Sequence, residues 1–237
     1  MDDEAMHRVV EAERRTPSIR ELWLRPLGAP LRYRPGEYVL VEDLDLGIPP
    51  RSYSIANAPR ADGLISLLVT RVPGGRTSTW IHDRLRVGDE VSASGPYGTF
   101  VDDATSTAPG LFLAAGSGLA PIRALMEAGL STGARESLPL IVSARTEADV
   151  IDRERFVDWM ALHRQFGFIR TLTRAEGPGP HGRIPAVLPS TFEALDDHDV
   201  FIAGAPGFVR ACAASVELLG ARRARVKIEE FFVEPGW

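Results

Sequence analysis

The chain changes texture once, near residue 101, and no other feature restricts its fold as much. Up to that point short β-like runs are punctuated by Pro and Gly: HRVVEAERR, SIRELWLRPL, GEYVLVED, IPPRSYSIAN, LISLLVTRV and DEVSASGPYG. Six such runs suit a small antiparallel barrel, with STWIHDRL as its single helical interruption. From residue 111 apolar runs alternate with amphipathic ones, in the order LFLAAG, APIRALMEAGL, LPLIVSAR, DRERFVDWMALHRQF, FIRTLT, DVFIAG, GFVRACAASVELLG and RVKIEEFF. That alternation predicts β-α-β units around a parallel sheet. The seam, VDDATSTAPG, is polar and closes on Pro109 and Gly110, as a linker does. The expected fold class is β + α/β: a six-stranded antiparallel barrel over residues 1–103, then a parallel-sheet α/β domain over residues 104–237.

Composition narrows the function classes. With 44% hydrophobic residues in 237, the chain can bury a proper core. A formal charge of -5 and the lack of any Lys/Arg-dense stripe speak against nucleic acid as a partner. The opening MDDEAMHRVVEAERR is charged throughout, and no stretch reaches about 18 consecutive apolar residues, so no membrane association and a cytoplasmic location are expected. Cys212 is the only cysteine, and alone it forms neither an internal disulfide nor a four-thiolate iron-sulfur site. His7, His82, His163, His181 and His198 are scattered without ligand spacing, so no metal site is expected.

The polar run RSYSIANAP, residues 51–59, is unusual for a barrel strand. Alternation places Arg51 and Tyr53 on one face, Ser52 and Ser54 on the other. Either that cationic, aromatic face is solvated, or something large, planar and anionic lies against it. In LFLAAGSGLAPIRALME, Gly116 and Gly118 turn the chain between strand and helix and Pro121 falls in the helix's first turn. The exposed amides of such a helix start suit a phosphate, although a tight turn without ligand has the same pattern. VFIAGAPGFVRACAAS, with Gly204 and Gly207, forms a second junction on the same sheet edge. VPGGRTSTWIHDRL sets Gly74, Gly75, Thr77 and Ser78 ahead of the barrel's helix; these are anion donors, or Ser78 or Thr79 is an ordinary N-cap.

Taken in order, R-x-Y-S at Arg51–Ser54, G-G-x-x-S at Gly74–Ser78, G-P-Y-G at Gly95–Gly98, G-S-G-L-A-P at Gly116–Pro121 and A-G-A-P at Ala203–Pro206 resemble the ferredoxin-NADP reductase superfamily. The likeness is strongest to the flavin/NAD(P)H reductase components of bacterial aromatic-ring oxygenases, here without an iron-sulfur domain. The resemblance implies a flavin-binding barrel and an NAD(P)H-binding α/β domain, with FAD as cofactor (FMN the alternative) and NADPH or NADH as substrate. Arg51 would bind the flavin phosphate, Tyr53 would pack on its ring or ribityl chain, and Ser54, the catalytic residue, would donate a hydrogen bond near N5. Ser52 and Val69 belong to the same implied set, and Gly74, Gly75, Thr77 and Ser78 would hold the pyrophosphate. Gly116, Gly118 and Pro121 would receive the dinucleotide and Gly204 would lie beside the nicotinamide. Arg145 and Arg174 sit like the arginines that receive a 2'-phosphate, or are plain surface charges.

The implied activity is hydride transfer from NAD(P)H to flavin, then electron transfer to a separate ferredoxin or oxygenase component. Two rivals are an NAD(P)H:flavin reductase acting on free flavin, and a non-catalytic nucleotide-binding module. Where many relatives read Cys-Gly-Pro this chain reads Ala203-Gly204-Ala205, which implies slower hydride transfer or looser geometry. At the end of the chain, Phe231, Phe232 and Trp237 offer aromatics, Trp237 being the expected ring cover, and Glu229 faces the nicotinamide or is a solvated charge.

Overall fold

The computed structural model describes residues 4–43, 45–103, 105–174 and 180–231. The first part contains strands β1 (Glu4–Arg14), β2 (Ile19–Pro26), β3 (Tyr38–Asp43), β4 (Ile48–Ser54) and β5 (Ile65–Thr70), helix α1 (Arg76–Asp83) and strand β6 (Glu90–Tyr97). The strands form one antiparallel sheet in the order β4-β3-β6-β1-β2-β5. Just past β4, Ile55 bridges to Leu67 of β5 and the Ala56 amide donates to the Ser66 carbonyl at 2.7 Å, so the two outer strands meet and the sheet closes. Closure removes the exposed edges that an open sheet would present. The apolar residues of each strand, among them Leu22, Leu24, Val39, Val41, Leu67 and Val69, fill the barrel.

The second part runs β7 (Gly110–Ala115), α2 (Leu119–Thr132), β8 (Leu138–Ala144), α3 (Arg153–Leu162), β9 (Phe166–Leu172), α4 (Ile184–Thr191), β10 (Asp199–Gly204), α5 (Pro206–Leu218) and β11 (Val226–Glu230). Its parallel sheet has the order β11-β10-β7-β8-β9. Alternation along β7 sends Phe112 and Ala114 to the face covered by α2 and α3, and Leu111 and Leu113 to the face covered by α4 and α5. The expected six strands, parallel sheet and barrel helix are all present.

One local expectation fails, and one helix has no counterpart among the expected elements. The run DRERFVDWMALHRQF does not stay helical to its end: α3 stops at Leu162 and Phe166 opens β9. Helix α4 is absent from the sequence reading because Pro185 and Pro189 break its apolar rhythm. Pro189 has no N–H to give the Pro185 carbonyl four residues back, and that carbonyl accepts instead from Ser215 Oγ at 3.4 Å.

The two parts share one core. Ile19, Ala56 and Leu68 of the barrel pack in the same apolar cluster as Leu119, Ala120 and Ile122 of α2. The polar seam is also tied down, unlike a free linker. Arg135, almost fully buried, donates to both Asp102 oxygens (3.2 and 2.7 Å), to the Ala108 carbonyl (2.5 Å) and to Asp199 (2.9 Å). Lys227 reaches across to the Val101 carbonyl at 2.5 Å. No helix among the described residues is long and apolar enough to cross a membrane, and none of their His, Cys, Asp and Glu side chains form a metal-binding group.

Replacing Arg135 by Met leaves Asp102 and Asp199 without their shared cation; because Asp102 is partly exposed and Asp199 keeps Arg225, the cost is about 1–3 kcal/mol, the range for a lost hydrogen bond to a charged group. Urea unfolding of the Arg135→Met protein is expected to show a loss of that size.

Candidate active site

Strand β4 carries the Arg51–Ser54 run, and its pairing with β3 sets where each side chain points. Arg51 lies opposite Val41 and Tyr53 opposite Val39, while Ser52 lies opposite Leu40 and Ser54 opposite Tyr38. Val39 and Val41 belong to the barrel core, and Tyr53 packs against that core. Burial pushes the Tyr53 phenol well above its usual range, against the opposing charge of Arg51. Arg51 and Ser52 are exposed, the Arg51 Nη1 donating to the Pro50 carbonyl at 2.9 Å, and Ser54 is buried. Val69 lies on β5 with its side chain fully buried in the barrel core and its carbonyl 2.9 Å from His82 Nε2.

The start of α1 fits an anion. Its N-cap is Gly75, and no side chain caps the first-turn amides. Ser78 is not the N-cap entertained above: its Oγ accepts from the Val72 amide at 3.1 Å and donates to the Gly75 carbonyl at 3.3 Å, which folds the Gly74–Gly75 turn back on itself. Thr77 donates to the Pro49 carbonyl at 2.7 Å and Arg76 to the Gly47 carbonyl at 2.8 Å, which holds this turn beside the strand that carries Arg51. Amides without side-chain caps, at the positive end of a helix dipole and beside guanidinium groups, are what a pyrophosphate requires.

The carboxyl edge of the parallel sheet brings the two glycine junctions into contact. Gly116 has φ +58, the left-handed conformation in which a side chain is strained. Gly118 is needed for a different reason: a Cβ there would stand 2.2 Å from the Ala203 carbonyl oxygen, so the helix start can lie against the β10 turn only without one. Pro121 is the third residue of α2 and Gly204 ends β10. Between these turns and the β1–β2 connection is a cleft of about 580 Å³, whose lining includes Thr16, Gly116, Arg145, Arg174, Arg183 and Phe208. Arg145 and Arg174 thus share one cleft with Arg183, which the sequence reading passed over. Asp149, 3.7 Å from Arg145, is the carboxylate among the cleft's lining residues.

Two contacts bring the barrel to this edge. Thr70 at the end of β5 donates to Ser117 Oγ at 2.8 Å, and Ser54 donates to Glu229 Oε2 at 3.4 Å. Glu229 sits on β11 in register with Ala203. It is therefore half-buried against the Arg51–Ser54 strand and not a solvated charge. Burial raises its carboxyl from the usual 4.5 to about 7, and the hydrogen bond from Ser54 opposes only part of that shift. Ala203, which stands where many relatives carry a thiol, is fully buried in the apolar core. Trp237 and Phe232 lie outside the described residues.

Deeper in the interface is an ion cluster that no motif revealed. Arg123 of α2 is fully buried; it donates to the Ala56 carbonyl (2.5 Å), Asp152 (2.6 Å), Glu21 (2.5 Å) and Ser66 Oγ (2.8 Å). Arg15 adds a second guanidinium, 2.9 Å from Asp152 and 3.5 Å from Glu21. Burial alone would raise the Asp152 carboxyl, but Arg123 and its neighbours hold it below the usual range. An arginine inside an apolar helix stretch was the only sequence trace of this cluster.

Comparison with known proteins agrees with this two-part fold. Residues 9–101 match the family model for an oxidoreductase FAD-binding domain, and residues 112–214 that for an oxidoreductase NAD-binding domain. The chain is 36% identical to ferredoxin--NADP reductase B of Sorangium cellulosum (strain So ce56), over 94% of this chain and 96% of that one. It is 30% identical to the ferredoxin--NAD(P)(+) reductase component of the naphthalene 1,2-dioxygenase/salicylate 5-hydroxylase systems of Ralstonia sp, over 94% of this chain and 68% of the relative. The crystal structure of a cytochrome P450 reductase from Amycolatopsis superposes with a TM-score of 0.87 at 27% identity, covering 96% of this chain and 69% of that one. The chain belongs to the ferredoxin-NADP reductase family, and it is an FAD-dependent NAD(P)H oxidoreductase.

Because Glu229 keeps its proton to a higher pH in the folded protein than in the unfolded chain, its contribution to stability is fully present below the unfolded value of 4.5 and is lost as pH rises towards about 7. Melting temperatures of wild type and Glu229→Gln measured across that interval are expected to diverge, the Gln variant gaining relative to wild type as pH rises.

Proposed function

We propose that the barrel, residues 1–103, holds FAD tightly through Arg51, Tyr53, Ser54 and the Gly74–Ser78 turn, and that residues 104–237 present NADPH to it from the cleft lined by Gly116, with Gly118, Pro121 and Gly204 shaping the turns beside it. The observation that carries this reading is the Ser54–Glu229 contact, which places the end of the polar strand against the edge where the two glycine turns meet. Bound FAD would supply the conversion of a hydride into single electrons. The chain's own part is positional. The α1 amides and Arg51 would hold the phosphates, Tyr53 would give the ring an apolar wall, and Ser54 would orient the reacting edge. Glu229, with its carboxyl near 7, can hold or release a proton beside Ser54 at neutral pH.

The electron acceptor is inferred to be a ferredoxin or an oxygenase component, the partners named in the relatives' own descriptions. The protein is placed in the cytoplasm, where the NAD(P)H pool is. Three arginines against one carboxylate along the cleft favour NADPH over NADH, since a guanidinium can clamp a 2'-phosphate through paired hydrogen bonds.

The reading is tested on purified protein. A yellow colour that travels with the protein through gel filtration, is bleached by NADPH and returns on adding a ferredoxin supports it. Flavin that separates on the column supports the free-flavin reductase instead, and protein that binds neither FAD nor FMN defeats both. Replacing Arg145 and Arg174 together by Ala is expected to raise the KM for NADPH by roughly tenfold or more, the worth of one or two charge-assisted hydrogen bonds, while the KM for NADH changes by less than about threefold. Steady-state kinetics with both dinucleotides checks this.

A further inference from the structure

We propose that Arg123 and Glu127 are positioning residues that set the spacing between the flavin strand and the dinucleotide turn, with α2 acting as the ruler. Both face the segment that follows Ser54. Arg123 donates to the Ala56 carbonyl at 2.5 Å, and Glu127, one helical turn on, accepts from the Ala58 amide at 2.9 Å. Four residues advance a helix by about 6 Å, so the two side chains stand one turn apart on α2 and grip the chain on either side of the bend at Asn57. The barrel side of this contact is itself fixed. Ala56 donates to the Ser66 carbonyl, and Asn57 accepts from the Ser66 amide at 2.6 Å while donating to the Leu64 carbonyl at 3.1 Å.

Each end of the ruler lies close to a reacting group. Ser54 is two residues before Ala56, and the Gly116–Gly118 turn runs directly into α2, five residues before Arg123. A slip of α2 along its axis would therefore move the dinucleotide turn relative to Ser54 by the same amount. Asp152 shows that the anchor takes precedence over local structure. As N-cap of α3 its carboxylate could serve its own helix, but it makes no cap bond and pairs with Arg123 and Arg15, with the backbone held at φ 57. Glu127 is likewise held from behind, by Arg155 at 2.8 Å.

This inference rests on the reading that residues 116–121 receive the dinucleotide. It is tested with the FAD-loaded protein in stopped flow, comparing wild type, Arg123→Lys and Glu127→Ala. Arg123→Lys keeps the charge and loses the fork; Glu127→Ala removes a partly exposed side chain and decides the matter if the lysine variant does not fold. Both are expected to keep FAD content and NADPH affinity within about twofold while the rate of flavin bleaching falls roughly 10- to 100-fold, the scale of an ångström-sized misplacement. Glu127→Gln, which still accepts from Ala58, should restore most of the rate. Reoxidation of the dithionite-reduced variants by ferricyanide should match wild type. Bleaching at the wild-type rate in Glu127→Ala overturns the proposal, as does a rate loss that only mirrors lost FAD or NADPH binding. Wild-type flavin that NADPH does not bleach at all defeats the underlying reading, and this inference with it.

Discussion

The buried pairing of Arg123 with Glu21 and Asp152 is the constraint on which the arrangement of the two halves depends. A barrel and a parallel sheet each satisfy their own backbone hydrogen bonds, so nothing in either dictates where the other should sit. Apolar contact between them, through Ile19, Leu68, Leu119 and Ile122, is favourable but has no direction. A fully buried guanidinium is different, because its planar fork accepts partners only at fixed angles and any other docking would strand a charge. Two guanidiniums meet two carboxylates here, one carboxylate from each half. Such a cluster adds little net stability, since desolvation offsets most of the attraction. Its effect is to make one relative placement of the halves far better than its neighbours.

That placement creates the site. Neither the Arg51–Ser54 strand nor the glycine turns form the proposed site alone. Docked, they bring Ser54 to Glu229 and Thr70 to Ser117, and enclose the cleft at the sheet edge between the β1–β2 connection and the arginines of the nucleotide-binding half. Burial of Glu229 is likewise a product of docking, and so is the position of its carboxyl near neutrality. The helix starts proposed to hold phosphate, by contrast, are local to each half: the first turn of α1 and the start of α2, both without side-chain caps.

Local physics was legible wherever a residue's role depended on near neighbours in the chain. The six barrel strands follow from alternation, the parallel sheet from the β-α rhythm, and the turn at Gly116 from the conformational freedom it needs. Legibility failed where a long-range partner decided. Helix α4 holds together across Pro189 because Ser215, on another helix, satisfies the carbonyl the proline leaves over. Arg183 carries no signal in the sequence; it reaches the cleft as the N-cap of α4, a helix the sequence did not reveal. The side chain of Val69 is directed into the barrel core by its place on β5. Glu229 could not be separated from a solvated acid, since only Ser54, 175 residues away, distinguishes the two.

By itself the sequence determined the two halves, their sheet types, the glycine turns and the ordered motif set that marks the family. Only the tertiary structure decided which charges face inward, how α2 lies along the segment after Ser54, and that Ser54 and Glu229 meet. The reason is physical: periodicity and turn chemistry act over a few residues, whereas burial and the pairing of buried charges are properties of surfaces that do not exist until the halves have packed together.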